Sequence, residues 1–148
     1  MMKTSEKGLS LIKQHENLRL EAYLCPAGVW TIGYGHTLGV KKGMTITREI
    51  AEKLLAEDIA PIERALNALG LNLRQGQFDA LVSFIFNVGI GSFNTSTLKR
   101  KLIDLNKQML DVASEFARWN KATVDGKKVV LPGLTRRRAE EATLFMQQ

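Results

Sequence analysis

Glu16, Cys25 and Thr31 place a carboxyl, a thiol and a hydroxyl in one short stretch, HENLRLEAYLCPAGVWTIGYGHT. Cleaving a glycosidic bond needs a protonated acid on the leaving oxygen and, across the sugar ring, a group that positions water or steadies the cationic carbon. Glu16 is the natural acid. It closes a short amphipathic segment that reads as a helix, and both the negative end of the helix dipole and partial burial favour its protonated form. Pro26-Ala27-Gly28 signals a turn and the run Val29 to Tyr34 is β-rich, so a hairpin folding back is expected to bring all three side chains to one cleft. Taken singly, Glu16 is also compatible with a solvated helix end, and Cys25 with a small half-buried apolar residue at a turn.

Positioning these groups requires a small sheet beside helices. Thr4 or Ser5 can cap a first helix whose inner face carries Leu9, Ile12 and Leu11 and which ends near Glu16. Leu18, Leu20, Ala22 and Leu24 alternate with polar positions, as in a half-buried strand. Gly33 and Gly35 in the next strand admit a close neighbour, either a sugar ring or another backbone, or mark a bulge. Trp30 and Tyr34 can stack on sugar faces or close an apolar seam. After a polar loop at 39–43, Thr45 or Thr47 caps a long pattern through Ile50, Leu54, Leu55, Ile59 and Ile62, expected to kink at Pro61. Segments 73–88, 97–106, 109–120 and 135–145 read as helices, the first apolar on most sides and therefore central. Asn72, residues 94–96 and Asp111 offer capping chemistry. Asp125-Gly126 is a tight-turn signal that places a hairpin or extended loop before the last helix.

A Glu, eight residues, an Asp or Cys, five residues and a Thr is the signature of the bacteriophage-type lysozymes or endolysins, glycoside hydrolase family 24, which this chain closely resembles. Beyond the triad, Trp30 to Thr37 is similar to that family's strand after the turn, and Gln77 to Phe84 with Phe86-Asn87-Val88-Gly89 to its central helix. Ser92-Phe93 through Leu98, Arg118-Trp119, and Gly133-Leu134 with Arg136 to Glu140 are also similar, so the resemblance covers nearly the whole chain. It implies an α+β, lysozyme-like fold in a single domain over 1–148: a small N-terminal β-hairpin lobe (about 16–45) joined by a long helix to a helical C-terminal lobe (about 70–148). It implies a muramidase cutting the β-1,4 bond between N-acetylmuramic acid and N-acetylglucosamine in peptidoglycan. Glu16, Cys25 and Thr31 are then catalytic, and Tyr34, Thr37, Asn87 and Ser96 bind substrate.

Cys25 stands where many of these lysozymes carry Asp. A thiol with an ordinary pKa of about 8.5 is mostly neutral at pH 7 and cannot supply the full charge of a carboxylate. The expectation is that Thr31 holds the attacking water, Cys25 polarises it, and the product is inverted. Direct attack by Cys25 would retain configuration and need a separation from Glu16 of roughly 5–5.5 Å. Alternative readings are a non-catalytic peptidoglycan-binding domain, or a lytic transglycosylase in which the muramyl 6-hydroxyl replaces water. His36 is expected to orient a turn or a carboxylate behind the site.

The 148 residues suit one domain with a substantial core. There is no apolar run of signal-peptide type and none approaching the roughly 18 residues that span a bilayer, so stable membrane insertion is not expected. The enzyme is expected to wait in the cytoplasm of the infected or lysogenic bacterium, as a monomer, until a separate holin-type pore releases it. A single Cys excludes an intramolecular disulfide and agrees with a reducing compartment. His15 and His36 lack the company that zinc spacing requires, so neither metal nor cofactor is expected. The net charge of +6 and pI near 9.6 call for an anionic partner, which bacterial cell wall supplies. The basic clusters, Lys41-Lys42, Lys99-Arg100-Lys101, Lys127-Lys128 and Arg136-Arg137-Arg138, are scattered and no finger or RNP motif occurs, which argues against nucleic acid. Part of the last cluster should face Glu140 and Glu141 at helical spacing.

Overall fold

A computed structural model describes residues 1–147. The first helix, α1 (Glu6–Glu16), is capped by Ser5, whose hydroxyl accepts the Gly8 N–H. Thr4 is committed elsewhere: its N–H and hydroxyl donate to Glu63 at 2.6 and 2.8 Å. The Ser5 N–H donates to the buried Asp79 at 2.9 Å. The start of α1 is therefore tied to two other helices, which fixes where its last residue, Glu16, emerges.

The strands β1 (Arg19–Leu24) and β2 (Trp30–Gly33) pair antiparallel, Arg19 opposite Gly33 at the base and Leu24 opposite Trp30 near the turn. An irregularity between Arg19 and Tyr23 breaks the ladder, as a bulge does. The alternation expected to bury β1 does not do so: Leu20 and Leu24 are 44% and 54% exposed. The helical layer packs on β2, while β1 is flanked by the loop, through Ala22 N–H to Met44 O and Ile46 N–H to Leu20 O, both 2.9 Å.

Thr47 caps α2 (Arg48–Ala68), accepting the Ile50 N–H at 3.2 Å, and the helix continues through Pro61. Its buried residues include Ala51, Leu55, Ile59 and Leu66, one side of a 3.6-residue repeat. The central helix, α3 (Gln75–Val88), is buried without interruption from Gln77 to Ile85 and packs on α1, α2 and the last helix. Its start is fixed by the Arg74 N–H donating to Gln77 Oε1 at 2.8 Å, in place of a cap by Asn72.

Gly89, at φ +92°, ends α3 and admits a short α4 (Ile90–Asn94) that the apolar pattern did not announce. Next come α5 (Thr97–Leu102) and α6 (Met109–Ser114), both shorter than expected, and a 3₁₀ turn at Phe116–Arg118. After α5 the Asp104 side chain accepts the Asn106 N–H at 2.9 Å, a local bond that competes with helix continuation. Asp125 and Gly126 take φ +51° and +78°, the left-handed pair of a tight hairpin turn between β3 (Lys121–Val124) and β4 (Lys127–Val130). Finally α7 (Pro132–Met146) opens on Pro132, where the missing N–H costs nothing.

Phe84 of α3 meets Phe116 and Trp119 edge-to-face at 5.3 and 5.6 Å, and Phe145 of α7 lies 5.6 Å from Phe116. Such pairs contribute about 0.5–1.5 kcal/mol each beyond their burial. They lock α7 across α3, which brings Arg137 to the end of α1. The fold is α+β: a small sheet beside a helical body, linked by the long α2.

Candidate active site

A cleft of about 390 Å³ lies where Gly35, Thr37 and Leu38 after β2 face Asp58 and Ile62 of α2 and the end of α3 at Phe86 and Asn87; Glu16 lines it too. Glu16 is the last residue of α1, its side chain about one-fifth exposed. Its Oε2 accepts a hydrogen bond from Arg137 Nη1 at 2.7 Å. This partner lies 121 residues away, a contact that a helix end and burial alone do not announce. Gly35 accounts for the other oxygen. At φ +80°, a Cβ there would stand 3.0 Å from Glu16 Oε1, so the close neighbour of Gly35 is the acid, while Gly33 lies against Ile46 and Ala51.

Arg137 is itself gripped from behind. Its Nε donates to Glu141 Oε2 at 3.3 Å and its Nη2 to the Ser83 carbonyl at 3.2 Å. Glu141, fully buried, also accepts from Ser83 Oγ at 2.6 Å and from Arg138 Nη2 at 3.1 Å. Burial pushes the Glu141 carboxyl up from its ordinary range, with Arg138 and then the Ser83 hydroxyl and Arg137 pulling back. Burial likewise pulls Arg138 down, with Glu141 opposing it. Arg138 stacks over Phe84 at 5.1 Å. One residue before the acid, His15 Nε2 lies 2.8 Å from Glu140, a second clasp between α1 and α7.

Cys25 and Thr31 form their own pair at the turn end of the hairpin and are not among the residues lining the cleft beside Glu16. The half-buried thiol is held below its ordinary range by the Val29 N–H first, with smaller help from Ala27 and Gly28 N–H groups and the Thr31 hydroxyl, against a partial desolvation. Thr31 is buried, and the hydrogen bond its hydroxyl donates runs to the Val29 carbonyl at 2.9 Å. The thiol is thus held below the range of an ordinary cysteine, chiefly by the turn.

Of the expected substrate contacts, Thr37 and Asn87 are exposed on the cleft wall with Glu16. Tyr34 is not available for stacking: it is 5% exposed, belongs to the apolar core, and its hydroxyl reaches Glu52 at 3.5 Å. Ser96 is also spoken for. Buried at the start of α5, it donates to Phe93 O at 2.7 Å and accepts the Lys99 N–H at 3.0 Å, away from this cleft. His36 sits behind the cleft, with Nδ1 2.8 Å from Asp58 and Nε2 2.8 Å from the Leu38 carbonyl, so it orients both a carboxylate and a turn.

Arg137, Asp58 and Glu141 escaped the sequence reading as site residues. The only signal for Glu141 was its place four residues after Arg137, while the reach to Glu16 and Ser83 is tertiary. Among the described residues no group of His, Cys, Asp and Glu is arranged to hold a metal ion, and no helix is long and apolar enough to cross a membrane.

A helix-borne carboxyl facing a cleft between a small sheet and a helical body defines a lysozyme-like glycosidase. The family described as phage lysozyme matches residues 13–141, and the chain belongs to it. It is 51% identical to the endolysin of Acyrthosiphon pisum secondary endosymbiont phage 1, covering 97% of this chain and 98% of that one. The muramidase domain of SpmX from Asticaccaulis excentricus superposes with a TM-score of 0.92 at 42% identity, with both chains fully covered. A crystal structure of a point mutant of P22 lysozyme gives 0.83 at 38% identity, covering 99% of this chain and 100% of that one. The protein is accordingly a glycoside hydrolase.

Proposed function

We propose that the chain acts as an endolysin-type muramidase, hydrolysing the β-1,4 bond between N-acetylmuramic acid and N-acetylglucosamine. Glu16 protonates the leaving oxygen; Thr31 holds the attacking water and Cys25 polarises it. Thr37 and Asn87 bind the glycan from opposite walls. One observation carries this reading: the Glu16 carboxyl opens into a cleft while gripped from behind by Arg137, so it is fixed in place yet free to meet a sugar. General acid catalysis contributes roughly 10²–10⁴ in rate. A Glu16→Gln protein should therefore lose about that factor in reducing-end release from purified walls while keeping its fold; undiminished release would end this assignment.

An inverting mechanism follows from water activation at Thr31 and Cys25, and proton NMR of the fresh product should show the α anomer first. A β anomer would instead assign Cys25 as a nucleophile, and an anhydro-muramyl product would assign lytic transglycosylation. For delivery we propose release of a monomer through a separate holin-type pore. Bacteria producing this chain alone should then stay intact until a pore-forming protein is co-expressed, and lysis without one would refute it.

A further inference from the structure

Beneath Glu16 the helical body holds two arginines and a second glutamate, and the arrangement is more specific than a single ion pair requires. Arg137 is 3% exposed and bridges two carboxylates, Glu16 at 2.7 Å and Glu141 at 3.3 Å. Arg138 is bound on the far side of Glu141, with Nε 2.7 Å from Oε1. With both glutamates ionised the four charges balance. When Glu16 takes up a proton, the buried set carries one net positive charge; without Glu141 it would carry two. A low-dielectric site resists each added charge, so Glu141 makes protonation of Glu16 less costly.

We propose that Glu141 is a positioning residue for Glu16: it draws off part of the Arg137 guanidinium, so that Glu16 is held in place by Arg137 and can still carry the proton it donates. This inference rests on the reading of Glu16 as the general acid. Glu141 is fully buried and meets no substrate. Ser83, from α3, aims its hydroxyl at the same carboxylate at 2.6 Å and adds no charge. The other charged groups around Glu16 are already paired: His15 with Glu140, Lys13 with Glu52, and Asp58, across the cleft, with His36. Glu141 is therefore the one neighbour, among the described residues, whose charge acts on Glu16 through a shared partner.

The test is the pH dependence of reducing-end release. In Glu141→Gln the alkaline limb, where the acid loses its proton, should move to lower pH by roughly one unit. On the old limb the rate falls about tenfold while the acidic plateau largely survives. Glu141→Asp, which keeps the charge, should leave the limb at its wild-type position. A Glu141→Gln rate lowered by one common factor at every pH, or a limb that does not move, would reduce Glu141 to a packing role and overturn the proposal. Should Glu141→Gln not fold, carboxyl carbon-13 NMR of the wild-type protein decides: Glu141 must stay ionised throughout the limb, and a protonated signal there overturns the proposal. Glu16→Gln separates the two levels. If that protein is active the acid assignment itself is wrong; if it is inactive and the Glu141→Gln limb is unmoved, only the present inference falls.

Discussion

The two sides of the proposed reaction centre are built in opposite ways. Glu16 is held by groups far away in sequence, Arg137 and, through it, Ser83 and Glu141, all buried between α3 and α7. Cys25 and Thr31 are held by their own hairpin, chiefly by the Val29 N–H and carbonyl a few residues away. The acid is thus set by tertiary packing and the thiol–hydroxyl pair by local turn geometry. Damage to the core should cripple the first and spare the second, and changes to the turn should do the reverse.

The sharpest way to break that contrast is Arg137→Met. It leaves Glu16 without its cation and Glu141 with Arg138 alone, and removing one member of such a buried set costs about 3–5 kcal/mol. The melting temperature should fall by roughly 6–20 °C, as calorimetry would record, while iodoacetamide labelling of Cys25 below the transition stays as in the wild type. Gly35→Ala comes next: it imposes a positive φ on alanine and crowds Glu16 Oε1 at 3.0 Å. A displaced acid should lower kcat by about 10–100-fold, with the left-handed φ costing roughly 1–2 kcal/mol of stability besides.

The hairpin side is addressed by Cys25→Ala, which should reduce turnover by about tenfold, whereas Cys25→Asp keeps it. Its pH behaviour has a definite sign. N–H and O–H donors stabilise the thiolate, so alkylation of Cys25 should reach half its maximal rate at a lower pH than free cysteine does. Thr31→Val removes one donor and should move that midpoint back up; a midpoint unaffected by Thr31→Val would uncouple the pair. The smallest effect is expected for Tyr34→Phe, which gives up only the long 3.5 Å bond to Glu52. Stability should change by less than about 0.5 kcal/mol, and KM for cell wall should not move. A raised KM would return Tyr34 to the glycan.

What the sequence disclosed follows the same division. Short-range chemistry was readable: a cap at Thr4 or Ser5 and one at Thr45 or Thr47, of which Ser5 and Thr47 do the capping, the Asp125-Gly126 turn, and the all-round apolar character of α3. Readings that depended on which layer covers a residue failed. The leucines of β1 alternate properly yet remain exposed, because the helical layer packs on β2. Tyr34 went into the core instead of the cleft, and Ser96 spends its hydroxyl on its own helix. The partner of Glu16 was hidden for a further reason. Three consecutive arginines at 136–138 look alike on paper, and only helical phase together with the docking of α7 decides that the middle one reaches the acid.

The double clasp of His15 on Glu140 and Glu16 on Arg137 joins the first helix to the last, across 125 and 121 residues. The acid is therefore set only once α1 and α7 have docked on each other. Fraying of α7 thus reaches the acid at the far end of α1 before it reaches the hairpin.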